Sequence, residues 1–352
     1  MAKHVFILGA GTSVHTGAPL MNNFIDKAED NFSPQDDSKD YEIAKKIFKL
    51  INELNEVYAK AYLDLNNIET VFGALEMARV FKKLKNYSLE QIDDLYKSMV
   101  FFIARTIEKT VEFPMIENYI APTRTYDRFC EVLNKLNYEC SVITFNYDIA
   151  LDYSLHARGH NFSYMLEEDI QKKCIKLLKL HGSINWTKCL ECNKILAYDF
   201  KSYFERYNYR GAQKYAMVPF LNRFNDLTIS HKHQVDNLPM IVPPSWNKTD
   251  YQNNLSNVWH AAANELYEAK YIYILGYSLP EADSFFKYLY ALGVLGETRL
   301  RGITIFNPDD SEDIKNRYNS IIGRGIENKF KFEKLIFDDA CSYLSKNIKS
   351  AT

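Results

Sequence analysis

The segment Leu180-His181-Gly182-Ser183 ends an apolar run with an imidazole beside a glycine. An imidazole titrating near pH ~6.5 can take up or release a proton at neutrality, and the glycine gives its ring open access to a crevice. A histidine at a strand end is also commonly just packed or hydrogen-bonded, so its surroundings must carry the case. Thr144-Phe145-Asn146-Tyr147-Asp148 ends a second apolar run with an amide and a carboxylate two residues apart. Such a pair can cap a helix, or it can hold a water and a polar ligand group. Gly9-Ala10-Gly11 follows a third run, with Ser13, Gly17 and Pro19 behind it. Glycines there admit backbone angles other residues resist and let a phosphate approach N–H groups at a helix start. The spacing is neither G-x-G-x-x-G, because Val14 stands at the third glycine, nor a P-loop, because no Gly-Lys-Ser/Thr follows. Ile274-Leu275-Gly276-Tyr277-Ser278 then reads as a strand entering a helix, with Ser278 and Glu281 at capping-box spacing and Pro280 in the first turn. Such a helix start favours anionic oxygen. Asn307 ends a fifth run and reads equally as a turn starter before Pro308.

The elements that would position these groups are strands at 3–9, 141–146, 174–180, 239–243, 271–276, 302–306 and 332–337. Most are continuous in Val, Ile, Leu, Phe and Tyr, as strands covered on both faces should be. Helical patterns at Asn253–Ala269, Pro280–Leu295 and Asp339–Lys349 lie between and after them. This alternation predicts an α/β fold with a doubly wound parallel sheet of Rossmann type, its ligand crevice at the strand ends. Two stretches interrupt it. Residues 31–120 read as helices only (Tyr41–Leu63, Asn67–Lys83, Ser88–Val111), with Leu95, Met99, Phe102 and Ile103 on one face. Residues 187–238 are irregular. The expected organisation is one domain over 1–352, with a Rossmann core at 1–30, 121–186 and 239–352 and insertions at 31–120 and 187–238.

The 352 residues are 47% hydrophobic and 25% charged, with net charge −2 and no Lys/Arg-rich block. That is the balance of a globular protein with no surface for direct nucleic-acid binding. No apolar stretch reaches the 18 or more residues of a membrane span, and the run Val5–Ala10 is too short for a signal-peptide core. Six scattered cysteines form no disulfide framework, so a cytoplasmic location is expected. Cys189-x-x-Cys192 has no second pair, and His231-x-His233 is wrongly spaced for a finger, so four zinc ligands are not supplied.

Taken together and in chain order, the four segments 6–19, 142–148, 177–186 and 273–283 resemble the sirtuin family, and more closely its bacterial sirtuin-like branch than the protein deacetylases. The string Gly9-Ala10-Gly11-x-Ser13 with Gly17-x-Pro19 matches G-A-G-x-S…G-x-P, Asn146-x-Asp148 matches Asn-x-Asp, and Leu180-His181-Gly182 matches the segment of the catalytic histidine. The Asp-Phe-Arg that usually follows the glycine loop in deacetylases is replaced by Leu20-Met21-Asn22-Asn23-Phe24. The resemblance implies NAD as substrate. His181 and Asn146 would be catalytic, and Asp148 would sit at the nicotinamide. Gly9, Ala10, Gly11, Ser13, Gly276 and Ser278 would lie along phosphates and ribose, with Asn307 near the adenosine ribose. It also implies a smaller lobe built from the two insertions, the second read as a degenerate zinc module without zinc. The expected activity is hydrolysis of NAD to nicotinamide and ADP-ribose as an NAD-depleting effector in antiviral defence. By the same analogy a sensor or ATPase partner, or self-assembly, is implied. An apolar surplus at Phe101, Phe102, Tyr58 and Tyr62 adds the expectation of a homo-oligomer. An NAD-dependent protein deacylase and a non-catalytic NAD- or ADP-ribose-binding module are the alternatives.

Overall fold

The computed structural model describes residues 3–35, 38–55, 63–116, 119–167, 173–200, 215–219, 229, 231–242, 249–280, 284–295 and 299–348. Its strands are β1 (His4–Leu8), β2 (Glu112–Ile116), β3 (Tyr119–Ile120), β4 (Cys140–Thr144), β5 (Phe162–Ser163) and β6 (Ile175–Lys179). They continue with β7 (Trp186–Lys188), β8 (Ile195–Ala197), β9 (Tyr215–Pro219), β10 (Tyr271–Leu275), β11 (Gly302–Phe306) and β12 (Phe330–Glu333).

Seven of these form one parallel sheet in the order β12-β11-β10-β1-β4-β6-β5. The chain leaves β1 to lay down β4, then β5 at the edge and β6 between them, and returns to β1's other side to build outward through β10, β11 and β12. The order therefore reverses at β1, where a sheet of this kind opens a crevice beyond the carboxyl ends of its strands. Helices cover both faces, so apolar residues run along the strands instead of alternating, and polar strand residues such as Ser141 and Lys179 are themselves buried. In β1, Phe6 and Leu8 join one core cluster while Val5 and Ile7 join the other, and all four are essentially buried. The helices Arg124–Asn134 and Phe337–Asn347 pack together on the first face, and Thr249–Glu268 and Ser284–Gly293 on the second. The expected α/β doubly wound fold is the one observed.

The helical lobe comprises Phe24–Asn31, which precedes the insertion expected at 31–120, together with Ser38–Asn55, Ile68–Phe81 and Leu89–Thr110. The last helix packs against the other three. Its N-terminus is fixed by a capping box, with the Ser88 side chain accepting from the Gln91 N–H and the Gln91 side chain accepting from the Ser88 N–H. Leu95, Met99, Phe102 and Ile103 are buried as their spacing predicts, each contributing about 1.5–3 kcal/mol of transfer free energy. Phe102 is spent wholly within this lobe, against Phe24, Phe32 and Phe48, so it offers nothing to an interface. Phe101 is half-buried, and Tyr58 and Tyr62 lie outside the described residues.

Three expectations are corrected. Residues 31–120 are not helices only, because β2 and β3 close the insertion and pair antiparallel, β2 pairing also with β9 from the second insertion. This small sheet joins the two insertions through a partner more than ninety residues away, which no local period reveals. Residues 239–242, the described part of the strand expected at 239–243, are not a strand of the main sheet. They cross the His181 turn instead, through a bridge between Gly182 and Ile241. The strand expected at 332–337 is β12, which ends at Glu333, and the next helix already begins at Phe337.

Candidate active site

Beyond the carboxyl ends of β1, β4, β6, β10 and β11 lies a cavity of about 720 Å³. Ala10, Gly11 and Ser13 line it from β1, Asn146 and Asp148 from β4, His181 from β6, Gly276 and Ser278 from β10, and Asn307 from β11. Of the residues that the motif resemblance assigned to catalysis or to the ligand, Gly9 alone does not line it. A second cavity of about 630 Å³, at the β5 edge near Phe162 and Phe200, contains none of them.

The glycine loop is two short 3₁₀ turns, Ala10–Thr12 and Val14–Thr16, and the first α-helix begins only at Phe24. The Gly11 N–H donates to the Gly276 carbonyl at 2.9 Å, the Thr12 N–H to Gly9 and the Ser13 N–H to Ala10. These amides are therefore engaged within the fold, unlike the open helix start expected from the sequence. The glycines have another cause. A Cβ on Gly9 would lie 2.6 Å from the Tyr277 Cα, and one on Gly11 2.8 Å from the Gly276 oxygen. Gly276 itself has φ +56°, and a Cβ there would meet the Thr12 nitrogen at 2.6 Å. The β1 and β10 loops are in backbone contact, which only glycine permits on both sides.

Asn146 leaves β4 with its Nδ2 donating to Thr12 Oγ1 at 3.2 Å and Ser13 Oγ at 3.1 Å. Tyr126, fully buried in the helix Arg124–Asn134, places its hydroxyl 2.7 Å from Ser13 Oγ and 3.2 Å from Thr12 Oγ1. Thr12 Oγ1 gives its own proton to the Gly9 carbonyl, so toward Asn146 it can only accept. That fixes which end of the Asn146 amide faces the hydroxyls. Burial pushes the Tyr126 phenol well above its ordinary value, with nearby Asp148 adding to the rise against the hydrogen bonds from Ser13 and Thr12, so it stays a neutral hydroxyl. Asp148 is 7% exposed, and its Oδ1 accepts from the Ala150 N–H at 2.9 Å. It thus holds the N–H of the first residue of the helix Ala150–Ala157, whose N-cap is Ile149, while lining the cavity.

His181 does not stand open to the crevice as expected. It is 3% exposed, its ring 5.1 Å from Phe145 and 6.0 Å from Tyr147. Phe145 is itself stacked on Tyr277 at 4.4 Å, so aromatic rings from the loops after β4 and β10 form one wall beside the imidazole. The turn after it requires glycine: Gly182 has φ +81°, and a Cβ there would lie 2.0 Å from the Met240 oxygen. The segment Met240–Val242 clamps this turn through Ser183 N–H to Met240 O and Val242 N–H to His181 O, while Tyr147 Oη donates to Val242 O.

Ser278 is exposed at the cavity rim. It caps no described helix start, because the following helix begins at Ser284, and Glu281 lies outside the described residues. Arg317 lines the cavity beside it and donates to the Ser278 carbonyl at 3.4 Å. The Asn307 amide is used at both ends, donating to Tyr277 O and accepting from the Asp309 N–H. The turn-starter reading thus describes its bonds. Thr12, Tyr126, Phe145, Tyr277 and Arg317 were not singled out in the sequence. Phe145 and Tyr277 stand inside motifs and could have been, whereas Tyr126 and Arg317 arrive from helices that carry no local signal.

The second insertion brings together what spacing alone kept apart. Cys189 and Cys192 sit on the β7–β8 turn, and Cys192 Sγ lies 3.5 Å from His231 Nε2, so the three could hold one ion. Burial pushes the Cys189 thiol up, but hydrogen bonds from Cys192, Glu191 and His231 more than offset this and bring it down to about 6. Three such ligands are one short of a closed zinc site. None of them lines the 720 Å³ cavity.

No family model matches this sequence, and no curated protein matches it. Among solved structures the chain is similar to a Sir2 homologue in complex with NAD, at 14% identity over 98% of this chain and 89% of that one, TM-score 0.41. A mutant Sir2 homologue with ADP-ribose has 15% identity over 98% and 91%, TM-score 0.43. A Sir2 complex with a p53 peptide and NAD has 13% identity over 98% and 92%, TM-score 0.38. At these values the likeness is remote, and the case for function rests on the cavity itself.

Proposed function

We propose that this protein hydrolyses NAD at the bond between nicotinamide and ribose, releasing nicotinamide and ADP-ribose. The observation that carries the proposal is the convergence of His181, Asn146 and Asp148 with the β1 and β10 glycine loops on one cavity at the reversal point of the sheet. That is where open α/β sheets hold dinucleotides, and these are the residues matching the sirtuin motifs.

In this reading the dinucleotide lies across the ends of β1 and β10, its phosphates near the glycine loops and Arg317, its nicotinamide toward Asp148. The bond from ribose C1′ to the pyridinium nitrogen breaks, and its electron pair neutralises the ring. Water adds to C1′ and loses a proton, for which His181 is the acceptor, directly or through a ribose hydroxyl. Asn146, locked by Thr12, Ser13 and Tyr126, holds the water or the ribose in line. The aromatic wall of Phe145, Tyr147 and Tyr277 keeps other water away from the reacting carbon. Replacement of the deacetylase Asp-Phe-Arg by Leu20-Met21-Asn22 favours water over an acyl oxygen as nucleophile. Action in antiviral defence, with a sensing partner, is the biological role that the motif resemblance implies. Release of nicotinamide and ADP-ribose from NAD by the purified chain, alone and with any partner that co-purifies with it, tests the reading. Turnover strictly dependent on an acyl-lysine peptide would replace it with a deacylase.

A further inference from the structure

A lysine is buried beneath this site. Lys179 is the last residue of β6, two before His181, and is 0% exposed. Its ammonium donates to both oxygens of Asp152 at 3.1 Å, on the helix Ala150–Ala157, and also to the backbone carbonyl of Asp148. Asp152 is 2% exposed and accepts a third bond from Tyr164 Oη at 2.7 Å. Burial raises the Asp152 carboxyl, against the pull of Lys179 and Tyr164. A buried ion pair is a poor source of stability, because desolvating two charges offsets most of their attraction, and a well-packed apolar pair is often as good. The position of this one is therefore informative. Its three anchor points are the β6 end that leads into His181, the Asp148 carbonyl two residues after Asn146, and the helix Ala150–Ala157 whose first N–H the Asp148 carboxylate accepts.

We propose that the Lys179–Asp152 pair is a positioning device for the candidate active site, tying the His181 turn to the Asn146–Asp148 loop at fixed spacing. Lys179 touches no ligand in this account. It acts through the Asp148 carbonyl, and through its own backbone, whose oxygen accepts from the Gly182 N–H that ends the histidine turn. The inference rests on the NAD-cleavage reading for its catalytic consequence but not for its geometry.

The test compares the wild-type chain with Lys179→Met/Asp152→Leu, which replaces the pair by apolar side chains, and with the milder Asp152→Asn, which keeps the Tyr164 acceptor. Thermal unfolding, NAD kinetics and hydrogen exchange of segments 144–150 and 180–186 are measured on all three. The double variant is expected to unfold near the wild-type temperature, yet lose roughly 10- to 100-fold in kcat with KM changed less than about threefold, and to exchange faster in both segments. If the double variant recovers stability and also keeps wild-type kcat and exchange, the pair is structural only and the proposal falls. Should the double variant fail to fold, Asp152→Asn decides: unchanged kcat and exchange overturn the proposal, a loss of kcat with faster exchange supports it. Absence of NAD turnover in wild type would overturn the functional reading separately. Exchange in the two segments would then decide the positioning claim.

Discussion

At the scale of single residues, the chemistry is assigned to His181 and Asn146, and the structure alters what their loss should look like. The imidazole is packed against Phe145 rather than standing free, so His181→Ala leaves a small void as well as removing a proton acceptor. Turnover of NAD should fall roughly 100- to 10,000-fold while the protein still folds and binds NAD, as single-turnover rates at saturating NAD and a calorimetric titration would show. Asn146→Ala should cost a comparable factor in rate, since it frees the attacking group from its line without removing a binding contact. Ser278→Ala, at the exposed rim, should instead raise KM with kcat retained. Near-wild-type turnover by His181→Ala would show that the imidazole has been given the wrong role. The sequence made these residues visible because each lies inside a short motif at a strand end. It could not show Tyr126 or Lys179, whose partners are more than a hundred and about thirty residues away.

At the scale of elements, strand ends and the loops after them were legible because continuous apolar runs stop abruptly at glycine, asparagine or histidine. Their packing was not. Gly9, Gly11 and Gly276 look in the sequence like a phosphate cradle, whereas in the structure they are where the β1 and β10 loops touch. Gly276→Ala should therefore lower stability without any ligand, by at least about 1–2 kcal/mol from the left-handed backbone alone, with the contact to Thr12 adding to it. An unchanged unfolding temperature with only a raised KM would mean that the loops do not pack in this way. The β1–β10 seam also carries an acid sensitivity. His4 lies stacked against Tyr271 and Tyr273, and burial lowers its imidazole to about 4. Because the folded state then binds fewer protons than the unfolded one, stability from this group is intact above pH ~6.5 and is lost as pH falls toward 4. The loss should be about 2 kcal/mol in urea unfolding between pH 7 and 4.5, and His4→Phe should flatten that slope. An unaltered slope in the variant would place the acid sensitivity elsewhere.

At the scale of the whole molecule, the doubly wound sheet follows from alternating apolar runs and helical periods, and the helical insertion from its 3.6-residue spacing. The parts that escaped are those made by distant pairing: β2 with β9, Met240–Val242 over Gly182, and His231 beside the cysteine pair. That last cluster stands apart from the cavity, so Cys189→Ser with Cys192→Ser should leave NAD turnover within about twofold. Any ion held there would show in metal analysis and unfolding temperature rather than in chemistry, and a folded but inactive double variant would contradict this separation. The convergence of five sequence-distant strand ends on one cavity that cleaves NAD is the central claim, and a direct product measurement tests it. Purified protein, alone and with any partner that co-purifies with it, is incubated with NAD and no acylated peptide, and nicotinamide and ADP-ribose are followed over time. The account predicts that both appear in equal amounts and that His181→Ala abolishes both. NAD left intact in every preparation, or consumed only when an acyl-lysine peptide is added, would contradict it.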